Sequence, residues 1–476
     1  MKNLLYIIPL FLLNIHQAAA QEIAFARTYG GTDYDDARGV VATQDGCFVF
    51  TGLNKSGEDP EGDMYLTKIN AAGAVLWERF YGQREEDGGN FLLSTADGGF
   101  LISGHIVQGI GDECDGYLVR TDADGNELWH LFVGSALDEI CHGAVETEDG
   151  SFFLTGRIEE APHSHQFDVM LCKVSANGQL VFLKRMAGTE SEYGFKINEA
   201  ADGNLLIAGY TYEAASGEDF YVLKCDREGN LLWENRFGTN QHDRAYGLMP
   251  LPQGGCLLVG GTASKPYKEE YETMCFAKIG EEGILEKFAP LLAETGKGYL
   301  FDVCASGENG FALAGMLKKK ETAYPSPCLV LLNEAFQMED FFTIPSDGES
   351  RAISITPSPN GDFCLAGKTA AGETNPDAFI TKINLHSSPL STNDFVLQPY
   401  WLFPNPFRNY TYLQIEGAPQ VKTLTLYDLK GHLKKTIVFE GTELFLYRED
   451  LAQGVYPFKI TDSKGKIMTV GKLIAQ

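Results

Sequence analysis

The sequence is short of positive charge, of long apolar runs and of local catalytic motifs. It holds 38 Lys and Arg against 65 Asp and Glu, for a net charge of −27. A body this acidic repels phosphate backbones, so no nucleic-acid partner is expected. Only residues 4–13 form an extended apolar run, and it is shorter than the ~18–20 residues a membrane-spanning helix needs. None of the ten cysteines forms a C-x-x-C pair, which leaves redox or zinc-ribbon chemistry unsupported. No nucleophile elbow, phosphate-binding loop or H-E-x-x-H helix occurs, although an enzyme that gathers side chains from distant segments would show none of these. What is plentiful is glycine, 52 in all, together with 12% aromatic and 44% hydrophobic residues. That composition describes a turn-rich folded chain and excludes a disordered or coiled-coil one.

The middle of the chain is a repeat. A glycine closing a short apolar strand recurs at Gly52, Gly104, Gly156, Gly209, Gly261, Gly315 and Gly367, about every 52 residues. Seven residues before each stands a turn position, Asp45, Asp97, Asp149, Asp202, Gly254, Glu308 or Asn360, usually followed by the glycine that accepts a hairpin's positive φ. Asp63, Asp115, Asp168, Asp219 and Asp377 open a third strand, and a base follows each five residues on, at Lys68, Arg120, Lys173, Lys224 and Lys382. A second turn glycine and then a large aromatic (Trp77, Trp129, Phe182 or Trp233) complete the better-preserved copies. Copies five and six are worn, with Lys287 in the aromatic slot and Leu332 in the basic one. Four strands per copy, seven copies and no helical period predict a seven-bladed β-propeller over residues 21–386.

The seventh copy ends near Asn384 without a fourth strand. At the other end of the chain, residues 23–30 align with the fourth strand at 75–82, placing Phe25 in the Trp77 slot. The amino-terminal strand is therefore expected to complete the last blade and remove two open sheet edges.

Both ends read as addresses. Lys2, the apolar run and the small residues Ala18 and Ala20 before Gln21 describe a signal peptide over 1–20 with cleavage at Gln21. The carboxyl end differs in charge: residues 400–476 hold 10 bases and 7 acids, which leaves 21–399 at −31. After a Ser/Pro linker at 387–398, period-two alternation broken by Gly and Asp turns predicts a small immunoglobulin-like β-sandwich. Its motifs are Pro404-Asn405-Pro406-Phe407, then Asp428-x-x-Gly431, then Leu451-x-x-Gly454-Val455-Tyr456, then a Lys-bearing final strand. In that order they resemble the type A sorting domain of type IX secretion over 399–476. The resemblance implies passage through the periplasm and across the outer membrane of a Gram-negative bacterium, with the secretion machinery as a partner. The product would be released or held at the cell surface. The central repeats resemble those of secreted bacterial propellers with a DGG[FY]…G…D-x-[YF]-x-x-K…G-x-x-x-W pattern, a likeness that speaks to architecture alone.

Candidate chemistry is sparse. Asp36, Asp87, Glu139, Glu192, Asp243 and Glu349 lead into the first strands of six copies. They either ring one mouth of the propeller channel and hold Ca²⁺ or a cationic ligand, or cap their own turns. His163, His165 and Asp168 could ligate Zn²⁺, against which Asp168 is the repeat's ordinary strand opener. Residues 122–127 look like a calcium loop but lack its glycine and glutamate spacing, and read as a turn. The basic column is expected to pair with nearby carboxylates, and the cysteines to be mostly free and buried. No cofactor is expected beyond a possible Ca²⁺. The best-supported function is an exported, monomeric, non-catalytic propeller presenting loops to a glycan, protein or small molecule. The alternatives are an enzyme on extracellular polymer with its site at the channel mouth, and a partner surface made by residues 265–272 and 317–321.

Overall fold

The computed structural model describes residues 20–476 except 58–60, 83–85, 108–113, 136, 187, 189, 214–216, 240–241, 263–272, 293–294, 308–309, 321, 371–374, 387–399, 404–406, 408–409, 416–419, 429–431, 449–450, 463–466 and 476. Regular structure among these is β-strand alone, and the chain divides into two compact units, Met1–His386 and Ser387–Gln476.

In the first unit, four-stranded antiparallel sheets follow one another seven times, making a seven-bladed β-propeller. Blade 1 comprises Gly39–Ala42, Phe48–Asn54, Asp63–Ile69 and Val75–Tyr81, numbered from the axis outward, and blades 2 to 6 repeat the order. Blade 7 takes its three inner strands from Ser350–Pro357, Phe363–Thr369 and Asp377–His386 and its outer strand from Ala20–Tyr29. Phe25 pairs with Lys382 as Trp77 pairs with Lys68, and Thr381 Oγ1 donates to the Phe25 carbonyl at 2.9 Å.

One contact joins blade to blade and explains two of the repeated columns. The outer-strand aromatic lies on the last turn glycine of the following blade, so close that a Cβ there would sit 2.9 Å from Trp77 at Gly125, 2.6 Å from Trp129 at Gly178 and 2.7 Å from Trp233 at Gly283. The indole N–H of Trp233 reinforces it by donating to the Glu281 carbonyl at 3.0 Å. Phe25 lies on Gly73 in the same way, and Tyr29 Oη donates to the Gly73 carbonyl as Tyr81 Oη does to that of Gly125. The seam is thus closed by the contact that joins ordinary neighbours. Between blades 5 and 6 the roles exchange: the turn carries Phe336, at φ 55°, and Lys287 lies over its ring. Lys287 therefore has an aromatic partner in place of being one, which is why the spacing survives the substitution.

The strand-closing glycines answer to a second constraint. In blades 2 to 7 the innermost strand carries a β-bulge, and the carbonyl two residues before the bulged residue fills the place of a Cβ on the facing glycine. At Gly104, Gly156 and Gly209 a Cβ would meet that oxygen at 1.8, 1.8 and 1.6 Å, distances no side chain survives. This geometry corrects two register assignments. Gly260, not Gly261, faces the bulge of blade 5, with the Arg244 carbonyl 1.8 Å from its Cβ position. In blade 6 the residue in the basic slot is Leu331, paired with Asp340, not Leu332.

Four residues of the basic column form ion pairs with turn acids, Lys68 with Asp45 at 2.8 Å, Arg120 with Asp97 at 2.6 Å, Lys224 with Asp202 at 2.7 Å and Lys382 with Asp362 at 3.0 Å, while Lys173 lies over the Phe153 ring at 5.0 Å. All ten cysteines are free, and burial pushes most of their thiols up, to about 12 for Cys172, Cys225 and Cys328.

The second unit has a three-stranded sheet (Tyr400–Phe403, Tyr410–Ile415, Glu443–Tyr447) and a four-stranded one (Leu433–Gly441, Gln420–Tyr427, Gly454–Asp462, Ile467–Ala475). Leu413, Ile415 and Leu446 from the first pack with Leu424, Leu426, Phe458, Ile460 and Leu473 from the second, forming the expected sandwich core.

Phe25 is 9% exposed, so Phe25→Ala is expected to cost about 3 kcal/mol by denaturant unfolding. Trimming residues 21–31 uncovers the edge of Asp377–His386 and should lower the melting temperature and promote aggregation. A trimmed protein that melts unchanged and stays monodisperse would contradict this closure.

Candidate binding site at the channel mouth

A bulge turns one extra side chain out of the strand's alternation, and here it turns that side chain toward the axis. The bulged residues are Asn90, His142, Phe195, Tyr246, Phe301 and Ile353, and Arg38 holds the same place in blade 1, its N–H donating to the Thr51 carbonyl at 2.8 Å. All seven line one cleft of about 240 Å³, where Asp36, Lys196, Arg351 and Lys368 join them. The cleft opens at the end where each inner strand begins.

Its wall has two arcs. On one side the rings run in contact, His142 to Phe195 at 4.8 Å, Phe195 to Tyr246 at 5.3 Å and Tyr246 to Phe301 at 5.3 Å. On the other side a polar chain is anchored by Asp36. Its carboxylate accepts from Arg38 Nε at 2.9 Å and Tyr34 Oη at 3.0 Å, Arg38 Nη1 donates to Asn90 Oδ1 at 2.9 Å, and Lys368 Nζ donates to Tyr34 Oη at 2.9 Å. Burial, followed by the cation of Arg351, lowers the Lys368 ammonium from its ordinary range. Burial and the nearby cations push His142 down to about 3, so its ring is neutral at ordinary pH and stacks without bearing charge.

The sequence left the six acids open between a channel ring and turn caps, and the strand geometry separates the two. Of the six acids named from sequence, Asp36 alone lines the cleft, and four cations stand around it. Strand register makes Asp35, not Asp36, the counterpart of Asp87, Glu139, Glu192 and Asp243, and Ser350, not Glu349, the counterpart in blade 7. These counterparts are buried and act on the turn four residues earlier: Asp35 accepts from the Gly31 N–H, Glu139 from Ser135 and Asp243 from Thr239. Glu349 is tied to Arg351 at 3.0 Å. Among the described residues no three His, Cys, Asp or Glu side chains are grouped to hold a metal ion. His163 and His165 have positive φ, and their N–H groups donate to the Glu159 carboxylate, while Asp168 is buried against Arg185 at 3.0 Å, so the three are not brought together. Asp122 accepts from the N–H groups of Asp124 and Asn126, which makes residues 122–126 a turn.

The channel column escaped sequence reading, though a signal was present. It lies 14 residues before each bulge-facing glycine, and its identity changes from blade to blade, with Phe alone occurring twice, at Phe195 and Phe301.

The sorting motif residues that are described have fold roles. Phe407 is buried, with its N–H donating to the Ile474 carbonyl at 2.9 Å. Asp428 caps its turn by accepting from the His432 N–H at 2.9 Å. Gly454 and the half-buried Val455 open a strand, and Tyr456 Oη donates to the Ala452 carbonyl at 2.9 Å. Pro404, Asn405, Pro406 and Gly431 lie outside the described residues, as do Ala18, residues 265–272 and Glu321. Ala20 and Gln21 open the strand that closes blade 7, paired with His386 and Leu385.

Residues 401–476 match the family model described as the secretion system C-terminal sorting domain. The regulatory protein FlaEY of Caulobacter vibrioides is 25% identical over 159 residues, and the match spans 27% of this chain but only 17% of that protein. Among solved structures, the Pan2 WD40 domain of Neurospora crassa is similar at 8% identity and a TM-score of 0.49, covering 78% of this chain and 97% of that one. A protein of unknown function from Dyadobacter fermentans is similar at 11% identity and a TM-score of 0.48, covering 77% and 99%. The propeller assignment stands on the strand pairing itself. The tail directs type IX secretion to the cell surface or extracellular space of a Gram-negative bacterium of the Bacteroidetes type.

Burial pushes Glu139 up to about 7 against the Ser135 hydrogen bonds, and Glu192 likewise to about 7. A carboxyl raised in the fold binds its proton more tightly there than in the unfolded chain, where glutamate titrates near ~4.3. Its stabilising effect is complete below that value and is lost as the pH rises through 7. Glu139→Gln removes the titration, so its melting temperature relative to the parent should rise between pH 5 and pH 8. A constant difference would contradict the burial assigned to Glu139.

Proposed function

We propose that the exported propeller is a binding protein that holds its ligand at the channel mouth and performs no chemistry on it. The observation that carries this reading is the axial column of Arg38, Asn90, His142, Phe195, Tyr246, Phe301 and Ile353. Residues at the other repeated positions have turn, ion-pair or interblade roles that recur from blade to blade, as structural roles must. A position that holds six residue types in seven blades while facing one shared space is free of those roles and suits recognition. His142 supports binding over catalysis. It is neutral, packed flat against Phe195, and its contacts are those of a stacking ring, whereas a general acid or base needs a proton affinity near working pH. Sorting by type IX secretion places the cleft outside the cell, where polysaccharides and surface proteins are the available ligands.

The test is an array of polysaccharides, surface proteins and small acids probed with the chain and with its Phe195→Ala/Tyr246→Ala variant. The parent should retain a ligand that the variant loses at an unchanged melting temperature, and a retained polymer should keep its length. Retention by the variant, or shortening of the polymer, would overturn the reading.

A further inference from the structure

The aromatic arc does not stop at the channel. From Phe195 it continues to Tyr210 at 5.5 Å, from Tyr210 to Tyr193 at 4.8 Å and from Tyr193 to Phe167 at 5.7 Å. Tyr193 and Tyr210 line a second cleft, about 380 Å³, on the same end of the propeller between blades 3 and 4, with Tyr212, His165, Gln166 and Glu218. The Glu218 carboxylate there is held by Arg244 through two bonds of 2.6 and 2.8 Å, and Arg244 lies over the Tyr210 ring at 5.4 Å. A strip of seven rings therefore joins the mouth to a lateral cleft, with phenol and amide groups along it.

The charge along this strip is lopsided. At the mouth Arg38, Arg351, Lys196 and Lys368 surround one lining carboxylate. Arg38 is balanced by Asp36, Arg351 by Glu349 and Lys196 by Asp302 at 3.0 Å. Lys368 instead makes its contact with a phenol, and the buried Arg351 Nε has no partner among the described residues. Crowded cations at one end of a cleft are relieved by an anion there. The mouth is also a cationic opening in a body of −31, so a polyanion is repelled elsewhere and attracted here.

Resting on the channel-mouth reading, we infer that the ligand is an acidic oligosaccharide, its carboxylate set between Lys368 and Arg351 and its sugar rings laid along the strip from Phe301 to Tyr193. Neighbouring rings stack on the faces of Phe195 and Tyr210, so the sugars pass along ring edges there, and their hydroxyls meet Tyr, Asn, Gln and carboxylate groups. Two clefts joined by rings suit an extended ligand, since a single small acid would fill only one of them.

The experiment is calorimetric titration of the chain with a short oligogalacturonate, a neutral galactan oligomer of equal length and a polyglutamate peptide of matching charge. The oligogalacturonate should bind at least tenfold more tightly than either of the others. Lys368→Met with Arg351→Gln should remove that preference, and Phe195→Ala should weaken both sugars, each variant melting as the parent does. Equal binding of the acidic and neutral sugars, both lost in Phe195→Ala, overturns the charge assignment and leaves the channel-mouth reading standing. Polyglutamate binding as tightly as the uronate overturns the sugar assignment. Uronate binding unmoved by Phe195→Ala overturns both readings, and failure of the uronate to bind overturns this inference.

Discussion

The bulge in the innermost strands of blades 2 to 7, seated against a glycine, is the constraint on which the functional geometry rests. A carbonyl oxygen occupies the space where a side chain would begin, so the facing residue has to be glycine, and the strand gains one residue with no partner across the ladder. That unpaired residue is the one turned to the axis. This requirement, met by a bulge in blades 2 to 7 and by the equivalent place of Arg38 in blade 1, yields the seven positions that line the channel.

Ring formation follows a similar economy of contacts. The outer-strand aromatic needs a neighbour without a side chain, and the turn that supplies it also needs glycine for its positive φ, as at Gly125 and Gly178. One residue type meets both demands, which is why aromatic and glycine columns keep fixed spacing. At the seam Phe25 and Gly73 reproduce the arrangement, so no disulfide is required to hold the first and last elements together.

Much of this was legible in the sequence because these roles demand particular residues. The blade number, the closure by residues 23–30, the base-to-turn pairing and the carboxyl-terminal sandwich all follow from columns that repeat. Register was read less well where neighbours were chemically alike. Gly260 and Gly261 stand side by side, as do Asp35 and Asp36, and only strand pairing shows which member faces the bulge or caps the turn. The channel column was missed because its residues vary from blade to blade, and a search for repeats passes over them. Of the two readings open for the recurring acids, turn capping agrees with their recurrence in every blade, while the cations that face the opening come from different strands of blades 1, 4 and 7.

The bulge is tested most directly by Gly156→Ala, whose Cβ would sit 1.8 Å from the Ile140 carbonyl oxygen. Overpacking of this kind costs about 1–3 kcal/mol and more when the obstacle is backbone. The denaturant midpoint of the variant should fall accordingly. A Gly156→Ala protein that unfolds at the parent's midpoint would contradict the account.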